Sequence, residues 1–89
     1  MTRYAVVFSR YPTDTPQGMR NYLPENYEII GHTLTHTPDG RWRIGIQGED
    51  VAGWTLDDYV LPRLDSGGYA IEKCRDLDHV RERTQGVMN

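Results

Sequence analysis

His32 and His36, four residues apart in Gly31-His-Thr-Leu-Thr-His36, are the pair in this chain most reminiscent of a metal or acid–base site. Imidazoles ligate zinc or shuttle protons near neutral pH, provided they converge on one point. In extended chain they do not converge. At about 3.3 Å per residue the two rings stand roughly 13 Å apart, too far to share an ion. With His36 placed opposite Trp42, both read as packing or surface histidines, and His79 lies in the polar tail and carries no signal.

The remaining chemistry-bearing residues have structural readings too. Asp57 and Asp58 are adjacent carboxylates, but neighbours on a helix splay about 100° apart. At the start of a helix their charge is favoured by the dipole without any catalytic role. Ser9, Ser66 and Cys74 have no histidine beside them in a nucleophile pattern. Cys74 is the single cysteine, so an intramolecular disulfide is excluded and a cysteine-based zinc site is not expected. The glycines form neither Gly-x-Gly-x-x-Gly nor a Gly-x-x-x-x-Gly-Lys-Ser/Thr loop. No metal, no cofactor and no enzymatic activity are expected. Binding is the chemistry left. Arginines such as Arg43 and Arg63 suit acidic or phosphate groups, and aromatics such as Trp54 and Tyr59 suit an interface or a flat ligand.

One stretch must position most of these groups. Thr55-Leu-Asp-Asp-Tyr-Val-Leu-Pro-Arg-Leu-Asp-Ser66 carries an N-cap threonine with Asp58 three residues on, a variant of the capping box. Ser66-Gly67-Gly68 supplies the residues that end a helix. Leu56, Tyr59, Val60 and Leu64 fall on one stripe at helical spacing, predicting a helix that docks on a core. Pro62 conflicts with this, since it removes a donor and crowds the Asp58 carbonyl. The helix must kink, begin late or tighten there.

The helix needs a sheet to dock on. Arg3 to Ser9 is apolar on both faces, which predicts an interior strand. Tyr11 to Leu23 reads as a long loop, with Tyr22 and Tyr27 near its end. Loops of that length are functional or mobile. Tyr27–Thr37 and Arg41–Glu49 read as a hairpin closed by Thr37-Pro-Asp-Gly40. That turn places Leu34 opposite Ile44, His32 opposite Ile46 and Ile30 opposite Gly48. It leaves Thr33, Thr35, Arg41, Arg43 and Gln47 on a wet face, where Gly45 allows close approach by another chain or ligand. Tyr69–Cys74 reads as a fourth strand near an edge.

At 89 residues the chain is one domain, predicted to span residues 1–78 with a frayed polar tail over 79–89, Leu77 and Val80 being suited to anchor a short terminal helix turn. A composition of 37% apolar and 26% charged residues is that of a globular protein, and the net charge of −3 argues against nucleic acid as a partner. The chain has no run of about 18 apolar residues and no secretory h-region at its start, so a cytoplasmic protein without membrane insertion is expected.

Tyr22-Leu-Pro-Glu-Asn-Tyr27 and Gly48-Glu-Asp-Val-Ala-Gly-Trp-Thr-Leu-Asp-Asp-Tyr-Val-Leu-Pro-Arg-Leu-Asp-Ser-Gly67 resemble a family of small hypothetical proteins encoded by phages of actinobacteria, mycobacteriophages especially. The resemblance spans Tyr22 to Lys73. Family members often carry an aliphatic pair after the serine-glycine, where this chain has Gly68-Tyr69. The family brings no established activity, so the resemblance implies provenance (a phage protein in host bacterial cytoplasm) and no mechanism. Trp54, Pro62 and Arg63 belong to its second block.

The expected architecture is therefore α+β: a small antiparallel sheet of about four strands with one capped helix packed on one face. Leu34, Trp42, Ile44 and Ile46 should meet Leu56, Val60 and Leu64. A homodimer by edge pairing or helix contact is expected of so open a sheet. The function expected is noncatalytic binding of a host protein. The competing reading is an oligomer that sequesters a nucleotide-like ligand, with Trp54, Tyr59, Arg63 and Arg43 as the binding residues in either case.

Overall fold

Alternating β-branched and aromatic residues in Thr2–Phe8 form β1, which lies inside the sheet as its two apolar faces require. The computed structural model describes residues 1–11, 13–34 and 41–85. Its four strands are β1, β2 (Tyr27–Leu34), β3 (Trp42–Glu49) and β4 (Ala70–Cys74), all antiparallel in the order β2-β3-β1-β4. Three short helices accompany them: α1 (Pro16–Met19), α2 (Leu61–Ser66) and α3 (Leu77–Gln85). The fold is α+β.

One sheet face is the main core. Ala5 and Val7 of β1 and Ile44 and Ile46 of β3 pack there with Leu56, Val60 and Leu64, all fully buried. Burying each aliphatic of that size contributes about 1.5–3 kcal/mol. Met19 is equally buried in the same core, which the reading of residues 11–23 as loop had missed. Thr15 caps α1, its hydroxyl accepting from the Gly18 amide at 3.3 Å, and Pro16 starts the first turn. Leu34, expected in this core, is 39% exposed at the end of β2.

The hairpin pairs differently from expectation. Leu34 faces Trp42 and His32 faces Ile44, a slip of two residues from the predicted pairs. A two-residue slip keeps every side chain on its own face, so the apolar pattern does not distinguish the two registers. A bulge between Ile29 and Gly31 then shifts the pairing once more, to Ile29 with Ile46 and Tyr27 with Gly48. The predicted turn Thr37–Gly40, with Thr35 and His36, lies outside the described residues.

The second face is wet only in part, with Glu28 and Arg41 exposed. Helix α3 crosses it, burying Val80 to 2% exposure beside Val6. At Gly45 an added Cβ would come within 2.6 Å of Val80 Cγ1, so the close approach that this glycine permits is by the chain's own helix. Glu72 on β4 pairs with Arg83 on α3 at 2.5 Å, and Arg43 Nη1 donates to the Arg83 carbonyl at 2.9 Å. The sequence from 79 onward, read as tail, is helical to Gln85 and covers part of the sheet's second face.

The Pro62 conflict is resolved by widening rather than by tightening. Residues Leu56–Val60 form a π-turn in which the Val60 amide donates to the Thr55 carbonyl at 3.1 Å and Leu61 donates to Leu56. Pro62 then falls in the first turn of α2, where a missing donor costs little. At the other end Gly68 adopts φ +90°, Gly68 N donates to the Asp65 carbonyl and Tyr69 N to that of Leu64. This is a Schellman stop, with Tyr69 and Leu64 in contact with the core.

Candidate functional site: an aromatic–arginine stripe

Along the solvent side of the π-turn and α2, four side chains stack in a row. Tyr59 and Arg63 are four residues apart, hence neighbours on one helical face. The Arg63 guanidinium lies 5.4 Å from the Tyr59 ring centre and 6.0 Å from that of Tyr22. Cation–π attraction of this kind stabilises by about 0.5–1 kcal/mol at exposed sites. Beyond Tyr59, the Trp54 ring sits 6.4 Å away, tilted by 46° and 43% exposed. At the opposite end Tyr22 meets Tyr69 edge-on at 5.5 Å, tying the row to the core.

Each member is held by backbone as well. Trp54 closes a tight turn in which its amide donates to the Val51 carbonyl at 2.9 Å and Gly53 takes φ +85°. Asn26 Nδ2 bonds both Glu49 O at 2.8 Å and Trp54 O at 2.9 Å, fixing this turn to the end of β3. Arg63 Nε donates to the Tyr22 carbonyl at 3.3 Å. Beside them Tyr22, Pro62, Arg63, Ser66 and Gly67 line a shallow hollow of about 380 Å³.

Trp54, Tyr59 and Arg63 are thus brought together as one surface, while Arg43 stands elsewhere. It covers the Phe8 ring at 5.5 Å on the α3 side of the sheet. Its assignment to the same site fails because β3 directs it to the opposite face. Tyr22 was the member not assigned to the site from sequence. Its place at the end of the long predicted loop, within the block Tyr22–Tyr27, was the signal available.

No family model, curated protein or solved structure matches this chain. What the surface does must be read from its own chemistry.

The acidic residues have structural work. Asp50 accepts from Tyr27 OH at 2.5 Å, from the Leu56 amide at 2.8 Å and from Arg3 at 2.9 Å. The Tyr27 hydroxyl first, then the Leu56 amide and Arg3, hold its carboxyl below the usual range. Asp57 is lowered by Lys73, at 3.0 Å, and by Arg3, at 3.3 Å. Burial, with Asp50 adjacent, raises the Tyr27 phenol well above its ordinary value.

The other candidates resolve similarly. Ser9 is buried and its Oγ accepts from the Trp42 amide at 2.8 Å. Burial pushes the Cys74 thiol up, away from a reactive thiolate. His32 meets Trp42 edge-on at 5.3 Å, the contact expected of His36. His79 Nδ1 accepts from the Arg75 amide at 3.2 Å. Among the described residues no three metal-ligating side chains converge, and no helix is long and apolar enough to cross a membrane.

Proposed function

We infer that this is a noncatalytic phage accessory protein that acts by binding a host protein in the bacterial cytoplasm, with Tyr22, Arg63, Tyr59 and Trp54 as its contact surface. The observation that carries this reading is Arg63 held between two tyrosine rings with Trp54 exposed at the end of the row. Tryptophan, tyrosine and arginine are the residues most enriched at energetically dominant interface positions. Here they are already ordered by one another, which lowers the entropy lost on docking. The four residues also fall inside the two blocks that resemble proteins of actinobacterial phages, which supports the provenance.

Tagged protein should retain one dominant protein from an actinobacterial host lysate, and the Trp54→Ala/Arg63→Glu double variant should lose it. Equal retention by both would remove the stripe from the interface. A second reading keeps the same surface for a planar ligand of nucleotide type, since the hollow beside Arg63 is open and flanked by a ring. A site saturated a hundredfold above Kd would stabilise the fold by about 2.7 kcal/mol. A nucleotide panel is expected to leave the melting temperature unchanged; a clear rise would favour the ligand.

A further inference from the structure

We propose that the β2 edge is a homodimer interface, pairing antiparallel with β2 of a second copy so that the two sheets become one. The two edges of the sheet are unlike. On β4, Glu72 and Lys73 are engaged by Arg83 and Asp57, the kind of charged cover that protects an edge. On β2, Tyr-Glu-Ile-Ile-Gly-His-Thr-Leu has Glu28 as its single formal charge, its Oε1 accepting from Gln47 Nε2 at 2.7 Å, with no lysine and no proline. Leu34 is 39% exposed there, and Ile29 and Ile30 are half-buried.

Gly31 is the telling residue. Its φ is not positive, and a Cβ built on it would meet nothing within 4 Å. Within one copy only the adjoining bulge suits a glycine here, and no side chain or positive φ demands one. Close approach by a neighbouring chain would call for it.

The bulge makes the pairing self-complementary. Tyr27 and Ile29 lie on the same face as His32 and Leu34, whereas Glu28 shares the α3 face with Gly31 and Thr33. An isologous two-fold pairing matches faces only if Ile30 faces the partner's Gly31, Ile29 the partner's His32, Glu28 the partner's Thr33 and Tyr27 the partner's Leu34. The same parity brings outward-pointing backbone groups opposite one another. A straight strand would not allow this odd register. Ile30 then fills the space left by the missing side chain of the partner's Gly31.

Charge agrees with this geometry. A groove of about 350 Å³ runs between β2 and α3, lined by Ile30, Gly31, Thr33, Val80, Arg81 and Thr84. Arg81 is 62% exposed, with Asp78 4.0 Å away. The partner's Glu28, arriving opposite Thr33, enters this groove beside Arg81, and symmetry repeats the pair.

Light scattering and sedimentation equilibrium over concentrations up to the order of 100 µM test this. The expected result is a dimer whose dissociation constant rises by about tenfold or more in Gly31→Val, because the new side chain occupies the place of Ile30. In dilute monomer the same variant should melt no lower than wild type, since valine suits a strand and meets nothing there. Glu28→Arg and Arg81→Glu should each weaken the dimer, and the double swap should restore it. A monomer throughout, or a dimer indifferent to Gly31→Val and to the charge swaps, would overturn the proposal.

Discussion

Asp50 gathers Tyr27, Leu56 and Arg3 around one carboxylate, so it ties β2, the start of the π-turn and β1 together. Replacing it by Asn should cost about 1–3 kcal/mol, seen as a lower urea midpoint, because partners on three elements lose a charged acceptor. The pH dependence has a definite sign. Asp50, Asp57 and Glu72 all have lowered carboxyl pKa values in the fold, Glu72 chiefly through Arg83. Their stabilisation is complete above the ordinary carboxylate range of about 3.9–4.3 and is lost as pH falls through the lowered values. Thermal melts should fall steeply on acidification through that window, and Asp50→Asn should flatten this limb. At this scale much was legible. The Thr55 cap follows from a hydroxyl placed three residues before an amide that needs an acceptor, and Trp54, Pro62 and Arg63 stood out as residues that capping and core packing leave unexplained. Tyr59, by contrast, reads as part of the docking stripe and does pack against the core. The Asp50 cluster was not legible, since its members are drawn from positions 3, 27, 50 and 56.

The elements divide by how local their causes are. The stop at Gly67-Gly68 is written in adjacent residues and was readable. With Gly68 at φ +90°, Gly68→Ala should cost about 1 kcal/mol or slightly more by chemical denaturation. Pro62 announced a conflict without its solution, because kinking, tightening and widening all relieve the same clash. The length and docking of helix α3 were hidden for a different reason, only a short turn at Leu77 and Val80 being readable. Its apolar face is only Leu77 and Val80, too short a stripe to show a helical period, and it earns its place through Val6, Gly45 and the Glu72–Arg83 pair. Truncation after Asp78 should therefore expose the sheet's second face, lowering the melting temperature and creating binding of a hydrophobic dye. A truncated chain that melts like the intact one would return residues 79–85 to the status of a tail. The hairpin register was missed because a period of two cannot report a slip of two, and the bulge at Ile30 has no signature beyond Gly31.

At the scale of the whole molecule, the fold class was legible from strand and helix patterning, whereas the assembly of the stripe was not. Tyr22 joins Arg63 across 41 positions, and only the packing of α1 and its following turn through Met19 brings it there. The molecule then presents two separate surfaces, an aromatic–arginine row over α2 and an apolar strand edge at β2. A host protein docked on the first would cover Trp54, so Trp54 itself can report the docking. In a Trp42→Phe variant, Trp54 is the sole tryptophan, as the chain has two. Its emission and acrylamide quenching are to be followed while the protein retained from host lysate is titrated in. The expected result is a saturable blue shift with loss of quenching, as a ring 43% exposed in the free protein is covered. Binding that leaves Trp54 emission and quenching unchanged would contradict the claim that the stripe is the docking surface.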